Sequence, residues 1–369
     1  MRYIHERPRW PDFTWDLAAL AEPLATVRYR QGLLFGRMSA LGFYVRAEAG
    51  LTAMTMDVVK SSAIEGEKLD VAQVRSSLAR RLGLEMAGMV PSGRNVDGVV
   101  EMMLDATQHY DKPLTVERLC GWHSSLFPSG YGVSGRIAIE KWRRAESGPM
   151  QVVSGYIGRE KVHFEAPDAE RLDFEMQRFL EWFNSPPSMD PIIRAGVAHL
   201  WFVTIHPFED GNGRIARAIA DCALASADSC SQRFYSMSSQ IERERKDYYT
   251  ILERTQKGDL DITHWLKWFI GCLGRALEAS DEMVASVLVK AGVWRHANQY
   301  VLNERQRSII NRLLDDFKGN LTSSKYAKLA KCSSDTALRD IKLLLEYNIL
   351  EHGGSGGRIT HYVLVKRKL

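Results

Sequence analysis

Near the middle of the chain, one stretch carries both the side chains and the backbone features of a phosphate-handling site: His206-Pro207-Phe208-Glu209-Asp210-Gly211-Asn212-Gly213-Arg214-Ile215-Ala216-Arg217. Gly211-Asn212-Gly213 makes a turn that small, conformationally permissive residues form easily. Behind it, Ile215, Ala218, Ile219 and Cys222 recur at helical spacing, so a helix is predicted to begin near Gly213. The tripeptide therefore sits at a helix N-terminus, where free N–H groups and the helix dipole favour an anion. Arg214 and Arg217 lie three apart on that helix and can face one way. Two guanidiniums beside an anion nest suit a polyphosphate. Asp210 offers a hard oxygen ligand for Mg²⁺, and His206 a base that titrates near neutral pH. Pro207 stiffens the loop and Phe208 anchors it in the core. Each residue alone has a plain structural reading: a histidine before a proline, an ordinary turn, two solvated arginines. Their fixed offsets within so short a stretch favour a site.

The elements that must hold these residues follow from the flanking sequence. The apolar run Ala195 to Ile205 reads as a buried helix ending at His206. Upstream, an aromatic, proline-marked arm over 9–15 precedes a helix in which Leu17, Leu20, Leu24 and Val27 recur, with Thr14 or Asp12 as its cap. Residues 67–135 read as helical, broken at Pro91-Ser92-Gly93, with one amphipathic helix from Leu114 to Leu126. Short β-like runs at Arg136 to Ile139, Met150 to Val153 and Lys161 to Phe164 follow, the last two flanking the turn Ser154 to Gly158 as a hairpin. Leu172 to Phe183 is an amphipathic helix closed by Pro186-Pro187, and Asp261 opens a final core helix. The class expected is mostly α.

HPFEDGNGRIAR resembles the signature of the Fic family, His-x-Phe-x-[Asp/Glu]-Gly-Asn-Gly-Arg-x-x-Arg, with every defining position filled. The resemblance implies a Fic-type helical core with a β-hairpin flap. It also implies transfer of AMP from ATP to a hydroxyl of a target protein, with ATP and Mg²⁺ as cofactors. His206 would be the base and Asp210 the metal ligand, with Gly211, Asn212, Gly213, Arg214 and Arg217 binding the phosphates. Tyr248, Tyr249 and Gln256 match the family's spacing for holding adenine; core packing explains the tyrosines equally well. The strand Lys161, Val162, His163, Phe164 matches the flap edge that holds a target segment by strand addition. Ser61-x-x-x-Glu65-Gly66 fits the family's inhibitory pattern [Ser/Thr]-x-x-x-Glu-[Gly/Asn], on a helix expected near 57–66. In that reading Glu65 pairs with Arg217 and Ser61 only steadies the helix. The arm over 9–15 resembles the N-terminal segment of one bacterial Fic subgroup.

The domains expected are a helical N-terminal region (1–95), the catalytic core (96–285) and a separate unit over 301–369. Net charge is +4, but unevenly spread: 301–369 carries 13 Lys/Arg against 7 Asp/Glu, and the remainder 36 against 38. The order helix, helix, helix, hairpin in the basic tail is that of a winged helix-turn-helix. Thr336, Arg339 and Lys342 would lie on the exposed face of its third helix and Arg358 on the wing, as a candidate DNA interface. A transcriptional regulator whose core senses nucleotide, and a de-AMPylase, are the rival readings. The expected partners are a target protein, the chain itself as acceptor, and DNA; a homodimer is left open. Five scattered cysteines without metal spacing, no signal-peptide pattern and no long apolar run point to a cytoplasmic protein with no membrane partner.

Overall fold

The computed structural model describes residues 2–84, 88–132, 135–155, 161–314, 317, 319–353 and 360–366. The described chain is mostly helical, with three antiparallel two-stranded sheets. It divides into two compact units. One comprises Met1–Gly42 and Ala49–Asp281, the other Phe43–Glu48 and Glu282–Leu369.

In the first unit, α1 (Leu17–Ser39) begins where the Asp16 carboxylate accepts the Ala19 N–H at 3.1 Å. The cap is thus Asp16, not Thr14 or Asp12. Thr14 is spent on a bridge to Asp261, its N–H donating to Leu260 O at 2.8 Å. In the arm before it, Trp10 is buried and donates to Glu175 at 2.9 Å, an anchor of the core. α2 (Phe43–Ile64) stops at a left-handed turn: Gly66 has φ 90°, which lets Glu67 N–H return to Ser62 O at 3.1 Å. Then come α3 (Val71–Arg81), α4 (Arg94–Gln108) and α5 (Val116–Leu126), the first and last capped by Asp70 and Thr115. A short pair follows, β1 (Tyr131–Gly132) with β2 (Gly135–Arg136).

The hairpin lies at β3 (Gln151–Ser154) and β4 (Lys161–Glu165), with an irregularity in register between Val152 and Val153. Its connection, including Tyr156 and Gly158, lies outside the described residues. α6 (Leu172–Asn184) precedes α7 (Pro191–Ile205), in which every residue from Ile192 to Ile205 is buried. A helix apolar all round belongs at the centre of a domain. Its start is fixed by Asp190, whose carboxylate accepts from Ile192 N at 2.8 Å, and by Pro191 in the first turn. Packed against it is α8 (Asn212–Asp228), followed by α9 (Met237–Arg243), α10 (Arg245–Gln256) and α11 (Thr263–Ala297). α11 approaches α7 at Gly196, whose carbonyl accepts from Trp265 Nε1 at 2.8 Å.

The second unit contains α12 (Glu304–Leu314), α13 (Ser323–Leu329), α14 (Ser334–Glu346) and the pair β5 (Leu350–His352) with β6 (Tyr362–Leu364). Thr322 and Ser333 cap α13 and α14 through their hydroxyls. Ile309, Ile310, Leu321, Tyr326, Ala337, Ile341 and Leu344 form its core with residues from the end of α11. Buried inside is Asp340, which accepts from Asn303 Nδ2 and Arg305 Nε at 3.0 Å each and from Tyr326 OH at 3.2 Å. Asp340→Ala leaves Tyr326 OH buried without an acceptor, a loss of about 2–3 kcal/mol. Hydrogen exchange at the amides of α13 and α14 in the intact chain reads this directly. Protection falls in Asp340→Ala and falls less in Asp340→Asn, which keeps an acceptor. Equal protection in all three chains contradicts the assignment.

Candidate active site

His206 ends α7 in the left-handed conformation, φ 51° and ψ 58°, which turns the chain away from the helix. Its ring Nδ1 meets Val203 O at 3.1 Å. A carbonyl can only accept, so Nδ1 carries the proton and Nε2 keeps the lone pair. Burial pushes the imidazole pKa down to about 4, so the ring is neutral at pH 7. Phe208 is fully buried, stacked on His123 with centroids 4.2 Å apart. Asn212 closes the loop: its Oδ1 accepts from Phe208 N at 3.0 Å and its Nδ2 donates to Phe208 O at 2.7 Å. The Asn212 side chain therefore holds the loop and is not offered to a ligand, leaving only its backbone to the anion nest.

Gly211, with φ 81°, caps α8 and donates its N–H to Asp210 Oδ1 at 2.6 Å. Against the first turn of α8 lies the end of α2. Glu65 Oε1 pairs with Arg217 Nη2 at 2.8 Å. The same arginine donates from Nε to Ser61 Oγ at 3.0 Å and from Nη2 to Ser61 O at 2.9 Å. Ser61 is thus a direct ligand of Arg217, which corrects the expectation that it only steadies its helix. A Cβ at position 213 would collide with Glu65 Oε1. Glycine at this position leaves the room that the Glu65 carboxylate occupies, and a Cβ would push it aside. Burial of Glu65 opposes its ionisation, but Arg217, Arg214 and Arg245 outweigh that and hold its pKa below the usual glutamate value.

A second carboxylate was not singled out in the sequence. Glu67 Oε2 pairs with Arg214 Nη1 at 2.8 Å. The left-handed turn at Gly66 brings Glu65 and Glu67 to the two signature arginines together. Alternating carboxylates around a helix-ending glycine were the available signal. Both guanidiniums are nearly buried, at 2% exposure for Arg217 and 5% for Arg214. Among the described residues, Arg217 Nη1 and Arg214 Nε have no acceptor. Buried donors left over beside a helix N-terminus are capacity for a further anion. The residues therefore fit a polyphosphate. For Mg²⁺ the protein supplies one carboxylate, Asp210. No cluster of three ligating side chains exists among the described residues, and one carboxylate completed by substrate phosphates is an ordinary Mg²⁺ set.

The expected adenine residues divide. Tyr248 is buried at 1% exposure, its hydroxyl 2.9 Å from His199 Nε2 and its ring against Trp268 and Tyr249. Gln256 is buried and donates to Thr204 Oγ1 at 3.2 Å. Both are core packing. Tyr249 is exposed, with its hydroxyl 3.4 Å from Glu65 Oε2. On β4, Lys161 is exposed, Val162 is half-buried, and His163 bridges Glu253 and Ser154 at 2.6 Å each. Phe164 is buried in a cluster with Tyr3 and Ala166, so its side chain is closed to a partner. In the second unit, Arg339 and Lys342 are exposed on α14, Thr336 belongs to its capping turn, and Arg358 lies outside the described residues.

Parts of the chain resemble known proteins. Residues 113–224 match the family described as "Fic/DOC family", and residues 3–84 that described as "Domain of unknown function (DUF4172)". Two similar relatives are each named "Protein adenylyltransferase Fic". That of Drosophila mojavensis is 26% identical over 227 residues, covering 60% of this chain and 40% of the relative. That of Culex quinquefasciatus is 26% identical over 272 residues, covering 71% and 49%. The chain thus spans less than half the length of these relatives. A solved Fic family protein from Desulfovibrio desulfuricans G20 has a similar fold, with a TM-score of 0.53 at 19% identity over 95% of this chain and 97% of that one. The loop from His206 and the arginines of α8 fall inside the matched residues, and the chain carries a Fic/DOC-family domain.

Proposed function

We propose that this protein is a protein adenylyltransferase that moves AMP from ATP to a Ser, Thr or Tyr hydroxyl of a target protein, and that Glu65 restrains it. The observation that carries the reading is the Glu65 carboxylate on Arg217 and Gly213, an anion already seated at the start of α8 beside a neutral base. In the active form that nest and both arginines receive the phosphates of ATP. His206 Nε2 takes the hydroxyl proton as the oxygen attacks the α-phosphorus, and pyrophosphate leaves. Asp210 would hold Mg²⁺, which supplies charge neutralisation at the phosphates. The edge of β4 suits an extended target segment through its backbone. Names carried by relatives at 26% identity support the reaction class.

The restraint has two arms, Glu65 on Arg217 and Glu67 on Arg214. Each charge-assisted contact contributes roughly 1.5–3 kcal/mol, a factor of about ten to a hundred in rate. With α-labelled ATP and saturating Mg²⁺, Glu65→Gly raises AMP transfer by about that factor, and Glu67→Gln raises it further in the same chain. His206→Ala in the Glu65→Gly chain abolishes transfer and leaves ATP binding intact. Equal initial rates in wild type and Glu65→Gly contradict the restraint, and undiminished turnover without His206 removes it from the chemistry.

A second reading concerns the other unit, where exposed Arg339 and Lys342 lie on the third helix of a helix–helix–helix–hairpin order. It is proposed as a winged helix that binds duplex DNA through α14. In a gel shift, wild type binds at low salt with affinity falling steeply as salt rises, and Arg339→Glu with Lys342→Glu abolishes the shift. Binding that survives both substitutions, or none at low salt, overturns it.

A further inference from the structure

Arg143 is a buried cation that no signature includes. It is 4% exposed, and the carboxylate that acts on it, Asp168, does so through its field, with no hydrogen bond to the guanidinium among the described residues. Among the described residues its acceptors are backbone carbonyls, and three of them belong to the end of α7 and the loop that follows. Nε donates to His206 O at 2.8 Å, Nη2 reaches Ile205 O at 3.5 Å, and the backbone N–H donates to Pro207 O at 2.9 Å. The remaining partner, Pro167 O at 2.5 Å from Nη2, ties the guanidinium to the segment after β4. Burying a charge is costly: burial lowers the Arg143 pKa to about 10, and the Asp168 carboxylate offsets only part of that. Two features of the loop explain why it is kept. The last carbonyls of a helix lack intrahelical partners and form the negative end of its dipole. His206 must also hold a left-handed backbone, which a non-glycine residue adopts at a cost of about 1–3 kcal/mol.

We infer that the Arg143 side chain is a positioning group for the reaction: by fastening the carbonyls of His206 and Ile205, and tying them to Pro167 O, it fixes the turn from which the His206 imidazole meets the acceptor hydroxyl. The inference rests on the transferase reading above. It separates two jobs within one loop. Asn212 and the start of α8 set the phosphate nest, whereas Arg143 sets the base. A guanidinium is suited to the second because its planar fork addresses several carbonyls at once, which an ammonium cannot do equally well.

The test uses the full chain with Glu65→Gly, where transfer is released. Introducing Arg143→Gln there lowers kcat roughly a hundredfold, the scale of a displacement of about 1 Å in a reacting group. ATP affinity, read by calorimetry, stays within about threefold. Arg143→Lys, which keeps the charge but not the fork, recovers part of kcat and guards against a simple failure to fold. A kcat within about threefold of the parent in Arg143→Gln overturns the inference. So does a parallel loss of kcat and ATP affinity in both variants, which marks Arg143 as general packing. Absence of AMP transfer by the Glu65→Gly parent is a different result: it defeats the transferase reading, and the inference with it.

Discussion

The acceptors of one buried guanidinium, Arg217, tie the end of α2 to the start of α8. Arg217 is nearly buried, and its donors reach Ser61 and Glu65 from the end of α2. A buried guanidinium needs acceptors, and the end of α2 supplies them; in the proposed active form a triphosphate would take their place. The remaining donor, Nη1, has no acceptor among the described residues. The cleft is therefore satisfied in part, by a carboxylate that belongs to the chain. Much of the architecture serves that placement. α7 is buried over almost its whole length and so fixes the start of α8. Gly213 lets Glu65 approach the backbone, and Gly66 turns the chain so that Glu67 meets Arg214.

The base is prepared by different means. Val203 O selects the tautomer of His206, burial keeps its ring neutral, and Arg143 fastens the carbonyls around it. None of these contacts involves α2. The contacts around Arg217 and those around His206 are thus separate, in adjoining segments. On the proposed reading, release of Glu65 would change where phosphate sits without rebuilding the turn at His206.

Legibility in the sequence followed the range of the interactions. The loop from His206 to Arg217 could be read because its parts lie within a few residues, and helix start, turn and arginine spacing are local properties. The apolar run of α7 announced a buried helix for the same reason. Ser61 and Glu65 were visible only through resemblance, since their meeting with Arg217 spans more than a hundred and fifty residues of chain. Glu67 escaped because its partner depends on the turn at Gly66. Arg143 carried no signal, because Trp142-Arg143-Arg144 resembles a solvated basic segment and only the fold buries it. Tyr248 and Gln256 stood at the right spacing, yet spacing does not reveal burial. Their polar atoms are spent on His199 and Thr204.

If Glu65 occupies the place of a terminal phosphate, its removal must be felt according to how many phosphates the ligand has. Calorimetric titration of ATP, ADP and AMP, each with Mg²⁺, into wild type and Glu65→Gly measures this. Loss of a contact worth roughly 1.5–3 kcal/mol corresponds to a gain of about ten- to a hundredfold in affinity. The account predicts that gain for ATP, a smaller one for ADP and none for AMP. An equal change for all three nucleotides, or no change for ATP, contradicts it.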